Sequence, residues 1–198
     1  MAGWPEALTG AVLDVAPRML GAVLRHTNDE GTVGVRITEV EAYDGQRDPG
    51  SHAYNGRTRR NQVMFGPPGH LYVYFTYGMH YCCNVVVGPD GAPSAVLVRA
   101  GEVVEGLEVA RRRRPRSTDR DRARGPARLC QALALDLAHD GADLTAGPVS
   151  LTPAAEPSTD VSTGPRVGLR LAADRPWRFW LTGEPTVSTY RPAVPRGK

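Results

Sequence analysis

Lysine is almost missing from this chain. Of its 24 basic residues 23 are arginine, and Lys198 is the one lysine. Chemistry that needs a lysine amine inside a fold, such as a Schiff base or a P-loop, therefore has no internal candidate. Cysteine is scarce as well: Cys82 and Cys83 are adjacent, and Cys130 stands alone. No C-x-x-C pair exists, so structural zinc, iron–sulfur and thioredoxin-type chemistry lack their ligand spacing. An odd, unpatterned cysteine count suits a reducing compartment, and the expected location is the cytoplasm. The five histidines, His26, His52, His70, His80 and His139, form no H-x-x-x-H or H-E-x-x-H pair, so neither a metal nor another cofactor is expected. No stretch reaches the roughly 18 apolar residues of a membrane span. The first residues lack the basic and apolar regions of a secretory signal.

What is present is an ordinary globular composition, 41% apolar and 23% charged over 198 residues. That length supports one sizeable core. The formal charge of +3 is unevenly spread: residues 111–128 hold nine arginines and two aspartates, a local +7 that leaves −4 for the rest. Such a run is either a solvated face or a phosphate-facing stripe, because Arg pairs bidentately with phosphate. Charge alone does not choose between them.

Apolar spacing at Val12, Val15, Met19 and Val23 predicts a short helix beginning near Pro17. A hairpin follows, turning at Asn28–Gly31, with period-two alternation from Val33 to Val40. Residues 44–69 show no clear element, and long loops of this kind tend to be functional. Strands are expected over His70–Tyr77, His80–Val87 and Ser94–Ala100, and helices over Val104–Arg114 and Pro126–Leu137. Residues 141–165 read as loop; Val167–Leu171 and Arg178–Leu181 read as closing strands. Clustered hairpins with helices elsewhere favour α+β with a largely antiparallel sheet.

Two features suggest chemistry. Tyr72, Tyr74, Tyr77 and Tyr81 crowd ten residues, which fits either a sheet core or a platform for stacking bases. Gly78 breaks this run and would push Tyr77 and Met79 to a tip. Upstream, strand periodicity puts Glu39, Glu41 and Tyr43 on one face. A carboxylate beside an aromatic wall can activate a water, although a strand-end Glu can equally be a solvated turn residue.

Taken in order, Glu39–Tyr43, His52, Asn61–Phe65, Gly69–Asn84, Val96–Ala100, Glu105–Leu107, Gly125–Leu133 and Pro165–Gly168 resemble the alkyladenine (3-methyladenine) DNA glycosylase family, mammalian type. The resemblance implies that Glu41 is the general base, that Arg99 helps hold the attacking water, and that the Val167 carbonyl completes the water site. It implies that Tyr43, His52 and Tyr74 sandwich a flipped base and that Asn84 disfavours guanine's exocyclic amine. It implies that Tyr77 enters the vacated stack, with Met79, His80 and Arg128 also facing DNA. His80 departs from the aromatic residue of relatives. The implied activity is hydrolysis of alkylated or deaminated purines from double-stranded DNA. With Lys198 the one lysine, it is expected to be monofunctional. A wedge acting on one base needs no dimer, so a monomer is expected. Two other classes stay open: a binding module without chemistry, and a hydrolase of free nucleosides.

The combined expectation is an α+β fold. It is a single compact domain over residues 1–198, with a curved, largely antiparallel sheet flanked by helices and a protruding β-hairpin. About 10 residues at the start and about 8 at the end are expected to be loosely ordered.

Overall fold

The computed structural model describes residues 4–193. Two short helices, α1 (Trp4–Ala7) and α2 (Val12–Arg18), lead into a hairpin of β1 (Val23–Asn28) and β2 (Gly31–Tyr43). Then come β3 (Leu71–Thr76), β4 (His80–Val87), β5 (Ser94–Glu105), α3 (Leu107–Arg113), β6 (Ala123–Arg124) and α4 (Pro126–Leu133). Three short strands finish the fold: β7 (Val149–Thr152), β8 (Val161–Gly164) and β9 (Arg178–Leu181). Every strand pair among the described residues is antiparallel, in the order β3-β4-β5-β2-β1-β7. Strand β6 adds to β5, and β9 joins β2 to β8. Helix α2 packs on β2, and α4 packs on β4 and β5. This is the α+β architecture expected, with the β3–β4 hairpin reaching out of a curled sheet. No helix among the described residues is long and apolar enough to cross a membrane.

Strand β2 organises the sheet, and its alternation does not run unbroken. Val33, Val35 and Ile37 enter the core, but the core positions that follow are Val40 and Ala42. The switch from odd to even falls at a register shift between Ile37 and Glu39, which leaves Thr38 outside the ladder with β5. One extra residue in a strand turns every later side chain to the other face. Glu39, Glu41 and Tyr43 are thereby carried to the face opposite the main core.

Several expected elements end elsewhere. The helix expected near Pro17 is α2, which begins at Val12 and ends one residue after Pro17. Val12, Val15 and Ala16 are its buried stripe, and proline in the last turn stops it early. Val104 and Glu105 are strand, because Glu105 still pairs with Gly34 of β2. Helix α4 stops at Leu133, not Leu137, with Ala134 in the left-handed region at φ 54°. The Leu133 carbonyl is held by His26 Nδ1 at 2.6 Å, a partner no local pattern reveals. His26 in turn meets His139, with Nε2 atoms 3.2 Å apart. The stretch 141–165 contains β7 and β8, whose ladders come from β1 and β9. Val167–Leu171 is not a strand but a turn, with Gly168 at φ 71°. Leu8, within the expected loose N-terminus, is fully buried. Residues 1–3 and 194–198, including Lys198, lie outside the described residues.

Gly106 marks the change from β5 to α3 at φ 68°, and a Cβ there would lie 1.9 Å from the Thr32 carbonyl oxygen. Gly106→Ala combines a left-handed side chain with a backbone clash. The expected loss is about 2–4 kcal/mol, read as a lowered midpoint in urea unfolding at unchanged slope; a midpoint within error of the parent contradicts the packing described.

Candidate active site

Glu41 is fully buried on β2, and donors on three different segments hold its carboxylate. The Val167 backbone N–H donates to Oε1 at 2.6 Å, and the Tyr43 hydroxyl donates to Oε2 at 2.7 Å. Arg99 Nη1 approaches Oε1 at 3.3 Å. Arg99 owes this position to a second irregularity. Across from it Glu39 pairs with Ala100 and Val40 with Val98, so Arg99 is the bulged residue of β5. Bulges re-aim side chains and gather at active sites. Burial works against the Arg99 charge, but Glu41 and Glu39 outweigh it and raise its pKa above the ordinary value.

A second buried pair fixes the loops above. Arg166 donates to Asp48 Oδ1 at 2.8 Å and to the Ala42 carbonyl at 2.9 Å, with Asp48 and Arg166 both in the interior. Its guanidinium stacks over the Tyr43 ring at 4.7 Å and over Trp177 at 5.1 Å. Arg166 thus ties the 44–50 loop to the turn that presents Val167. Breaking a buried pair on one side costs about 3–5 kcal/mol.

In front of Glu41 lies a cavity of about 330 Å³, walled by Tyr43, His52, Tyr74, Asn84, Arg99 and Val167. The structure therefore gathers the seven residues expected around the base and water: Glu41, Arg99, Val167, Tyr43, His52, Tyr74 and Asn84. Glu41 itself sits one layer behind the wall. The observed Val167 contact is its N–H on the carboxylate, whereas the resemblance pointed to its carbonyl. Asn84 faces Tyr72 across the β3–β4 ladder and donates Nδ2 to the Tyr72 carbonyl at 3.2 Å. His52 Nδ1 lies 3.1 Å from the Tyr72 hydroxyl, and its ring stands edge-on to Tyr74 with centroids 4.6 Å apart.

The aromatic walls are uncharged at neutral pH. Burial, then Glu41, pushes the Tyr43 phenol well above its usual range; burial does the same for Tyr74. His52 is open to solvent through the mouth, yet the surrounding protein and then the Arg60 charge push its imidazole down to about 4. Arg60 itself lies over the Tyr74 ring at 5.5 Å.

The hairpin beside the mouth ends at Tyr77, which is 85% exposed, and Met79, which is 66% exposed. Tyr77 takes φ 52°, followed by Gly78 at φ 67°. A left-handed conformation outside glycine costs about 1–2 kcal/mol, so the aromatic tip is held in a strained presentation. A second cavity, about 240 Å³, runs between this hairpin and the start of α4, lined by Thr76, Tyr77, His80, Arg124, Pro126 and Arg128. It brings together the expected Tyr77, His80 and Arg128. The His80 Nδ1 is enclosed without a hydrogen-bond partner among the described residues.

The arginine run divides into two sets. Arg111, Arg113, Arg114, Arg122 and Arg124 bond protein acceptors, among them Asp119, Glu30, Gln131 and the Val187 carbonyl. Arg112, Arg116, Arg120 and Arg128 are exposed, Arg120 also standing 3.5 Å from the Asp121 carboxylate. Neither a solvated face nor a phosphate stripe describes the whole run.

Sequence reasoning missed Asp48, Arg166 and Arg178. The one local signal was Asp48-Pro49-Gly50, a turn tripeptide that gives no hint of a partner 118 positions away. Among the described residues no group of three or more His, Cys, Asp or Glu is placed to hold a metal ion.

Residues 6–185 match the sequence profile of the methylpurine-DNA glycosylase (MPG) family, and the chain belongs to that family. It is similar to bacterial proteins that carry the name "Putative 3-methyladenine DNA glycosylase". That of Streptomyces avermitilis is 56% identical over 96% of this chain and 92% of its own length. That of Leifsonia xyli subsp. xyli is 56% identical, over 94% and 91%. A third, from Frankia casuarinae, is 52% identical over 91% and 89%.

The depressed His52 pKa sets a sign for pH dependence. Between about 4 and the unfolded value of 6.5 the unfolded chain binds more protons at this site. Its contribution to stability is fully present above 6.5 and is lost as pH falls toward 4. A histidine NMR titration is expected to place the His52 midpoint near 4; a midpoint at the unfolded value contradicts the effect of the surrounding protein and Arg60 described.

Proposed function

We propose that the protein excises alkylated and deaminated purines from double-stranded DNA, hydrolysing the N-glycosidic bond with a water activated by Glu41. The observation that carries this reading is the fully buried Glu41 carboxylate, one layer behind a cavity whose aromatic walls are uncharged. A base inside a duplex hides its C1′, so it must leave the stack. Tyr77, with Met79, enters the space it leaves and offsets part of an unstacking cost of a few kcal/mol. The exposed, strained hairpin tip supports that role. His80 and Arg128 line the cavity beside the tip, where the strand's phosphates would pass.

The flipped base stacks between Tyr43, His52 and Tyr74. An N-alkylated purine is a cation, and a desolvated cation on an aromatic face gains about 2 kcal/mol. A neutral His52 adds no repelling charge. One N–H of Asn84 Nδ2 is used by Tyr72, so its other N–H confronts whatever group the base presents there. Guanine's 2-amino group, also a donor, is disfavoured; adenine has none.

Glu41 has three donors for about four acceptor sites, so Oε2 can accept a hydrogen bond from water beside the Tyr43 hydroxyl. As the water oxygen bonds to C1′, its proton passes to Glu41. The C1′–N bond breaks and its electron pair leaves with the purine, neutralising an alkylated one. Arg99 and the Val167 main chain orient the carboxylate. The water ends as the C1′ hydroxyl of an abasic site. With no lysine amine among the described residues to attack C1′, the strand stays uncut, and one chain acting on one base needs no partner copy.

Glu41→Gln is expected to bind a lesion duplex normally while losing at least about 10²-fold in single-turnover excision, with abasic product that breaks only under alkali. A wild-type rate in this variant would falsify the assignment. Tyr77→Ala is expected to slow excision of a paired lesion more than of a mismatched one, because the mismatch has already lost part of its stacking. Equal effects on the two duplexes remove the wedge role.

A further inference from the structure

We infer that Glu39 is a positioning residue for base excision: it ties down Arg99 and Arg178 and so limits the positive charge that reaches Glu41. The inference rests on the reading of Glu41 as general base. Glu39 is fully buried on β2, yet nothing in the reaction as described uses it. Its Oε1 accepts from Arg99 Nε at 2.9 Å, Arg178 Nε at 2.6 Å and Ser188 Oγ at 2.9 Å. Its Oε2 accepts the Ser188 backbone N–H at 2.6 Å. Arg178 is fastened further by the Ser188 carbonyl at 2.8 Å and by the Trp180 ring, 4.6 Å from its guanidinium carbon.

The geometry is unequal. Arg99 makes its short bond to Glu39 and stands 3.3 Å from Glu41. Two guanidiniums and two carboxylates are buried together, so the group is neutral only while Glu39 is charged. The other ionisable groups facing Glu41 are Tyr43 of its own strand, Tyr74 of β3 and Cys82 of β4. Burial holds both phenols far above neutral pH and lifts the thiol to about 11, so none of them carries charge in the working range. Arg166 lies beyond the Tyr43 ring and is neutralised by Asp48.

How the two arginines are shared therefore sets the positive charge that faces Glu41. A carboxylate paired tightly with a guanidinium is a poor base, because the cation favours its ionised form. Glu39 keeps Arg99 near enough to orient Glu41 and too occupied to close on it. Neutralising Glu39 frees Arg99 to swing to Glu41. Neutralising Arg178 leaves Glu39 wholly to Arg99 and draws that cation away from Glu41. The two substitutions change the charge of the same cluster in opposite directions.

The test is single-turnover excision across pH on a duplex oligonucleotide carrying one N-alkylated purine, with duplex affinity measured in parallel by fluorescence anisotropy. Glu39→Gln is expected to lose about tenfold in rate, keep duplex affinity within about twofold, and move the acid limb of the profile to lower pH. Arg178→Gln is expected to move that limb to higher pH. Unmoved limbs, or shifts in the same direction, overturn the inference. If Glu39→Gln does not fold, the direction of the Arg178→Gln shift decides alone. Glu41→Gln separates the two claims: an active variant overturns both, whereas an inactive one with unmoved limbs in the others overturns only the role of Glu39.

Discussion

A buried carboxylate is costly unless donors replace the water it gave up, and this protein buries three within ten residues: Glu39, Glu41 and Asp48. Their cationic partners are Arg99, Arg178 and Arg166, between 58 and 139 positions away in the sequence. Meeting that electrostatic demand holds β5, β9 and the turn at Val167 against β2. The bulge at Thr38 aims the acids, the bulge at Arg99 aims one of the bases, and the remaining arginines arrive on the closing segments. The same bonds that make this region stable leave a carboxylate, Glu41, held by three donors beside a cavity.

The cavity and the hairpin solve separate problems of the proposed reaction. Inside, burial keeps the tyrosines protonated and His52 neutral, so the walls present π faces and few charges. That suits a cation better than a polar pocket rich in cations of its own. Outside, Tyr77 sits in a conformation that most side chains avoid, on a turn closed by Gly78. Strain of this kind persists where the surrounding structure imposes it, and it clusters at functional positions. The β3–β4 ladder connects the two regions: Tyr72, Tyr74 and Asn84 face the cavity, and the same strands end in the tip.

Arginine does two jobs in this chain that lysine would do poorly. Buried, its planar fork serves two acceptors at once, as Arg166 does for Asp48 and the Ala42 carbonyl. In the run from Arg111 to Arg128 it bonds backbone carbonyls and side chains of this run and of other segments at five positions and faces solvent at four. A charge count along the sequence treats these alike. Exposure separates them, because a guanidinium already shared among protein acceptors has little left to offer a phosphate.

Much was legible locally. The hairpin at Asn28–Gly31, the strands β3, β4 and β9, the break at Gly78 and the shared face of Glu39, Glu41 and Tyr43 all follow from turn chemistry and period-two spacing, which act over a few residues. The motif order around Glu41, Tyr74, Tyr77 and Arg99 carried the family resemblance that the sequence profile and relatives bear out. Even the phase shift in β2 was written in Val35, Ile37, Val40 and Ala42, though regular alternation through Val40 was the simpler reading. Tertiary structure decided the rest. β7 and β8 exist because β1 and β9 offer edges to pair with, and α4 ends where His26 takes its last carbonyl. Val167–Leu171 has strand-like residues but forms a turn, because the Val167 N–H goes to Glu41 rather than to a ladder. The partners of Glu39 and Asp48 were invisible for the same reason: a buried charge selects its counterion through space, and sequence spacing records only neighbours along the chain.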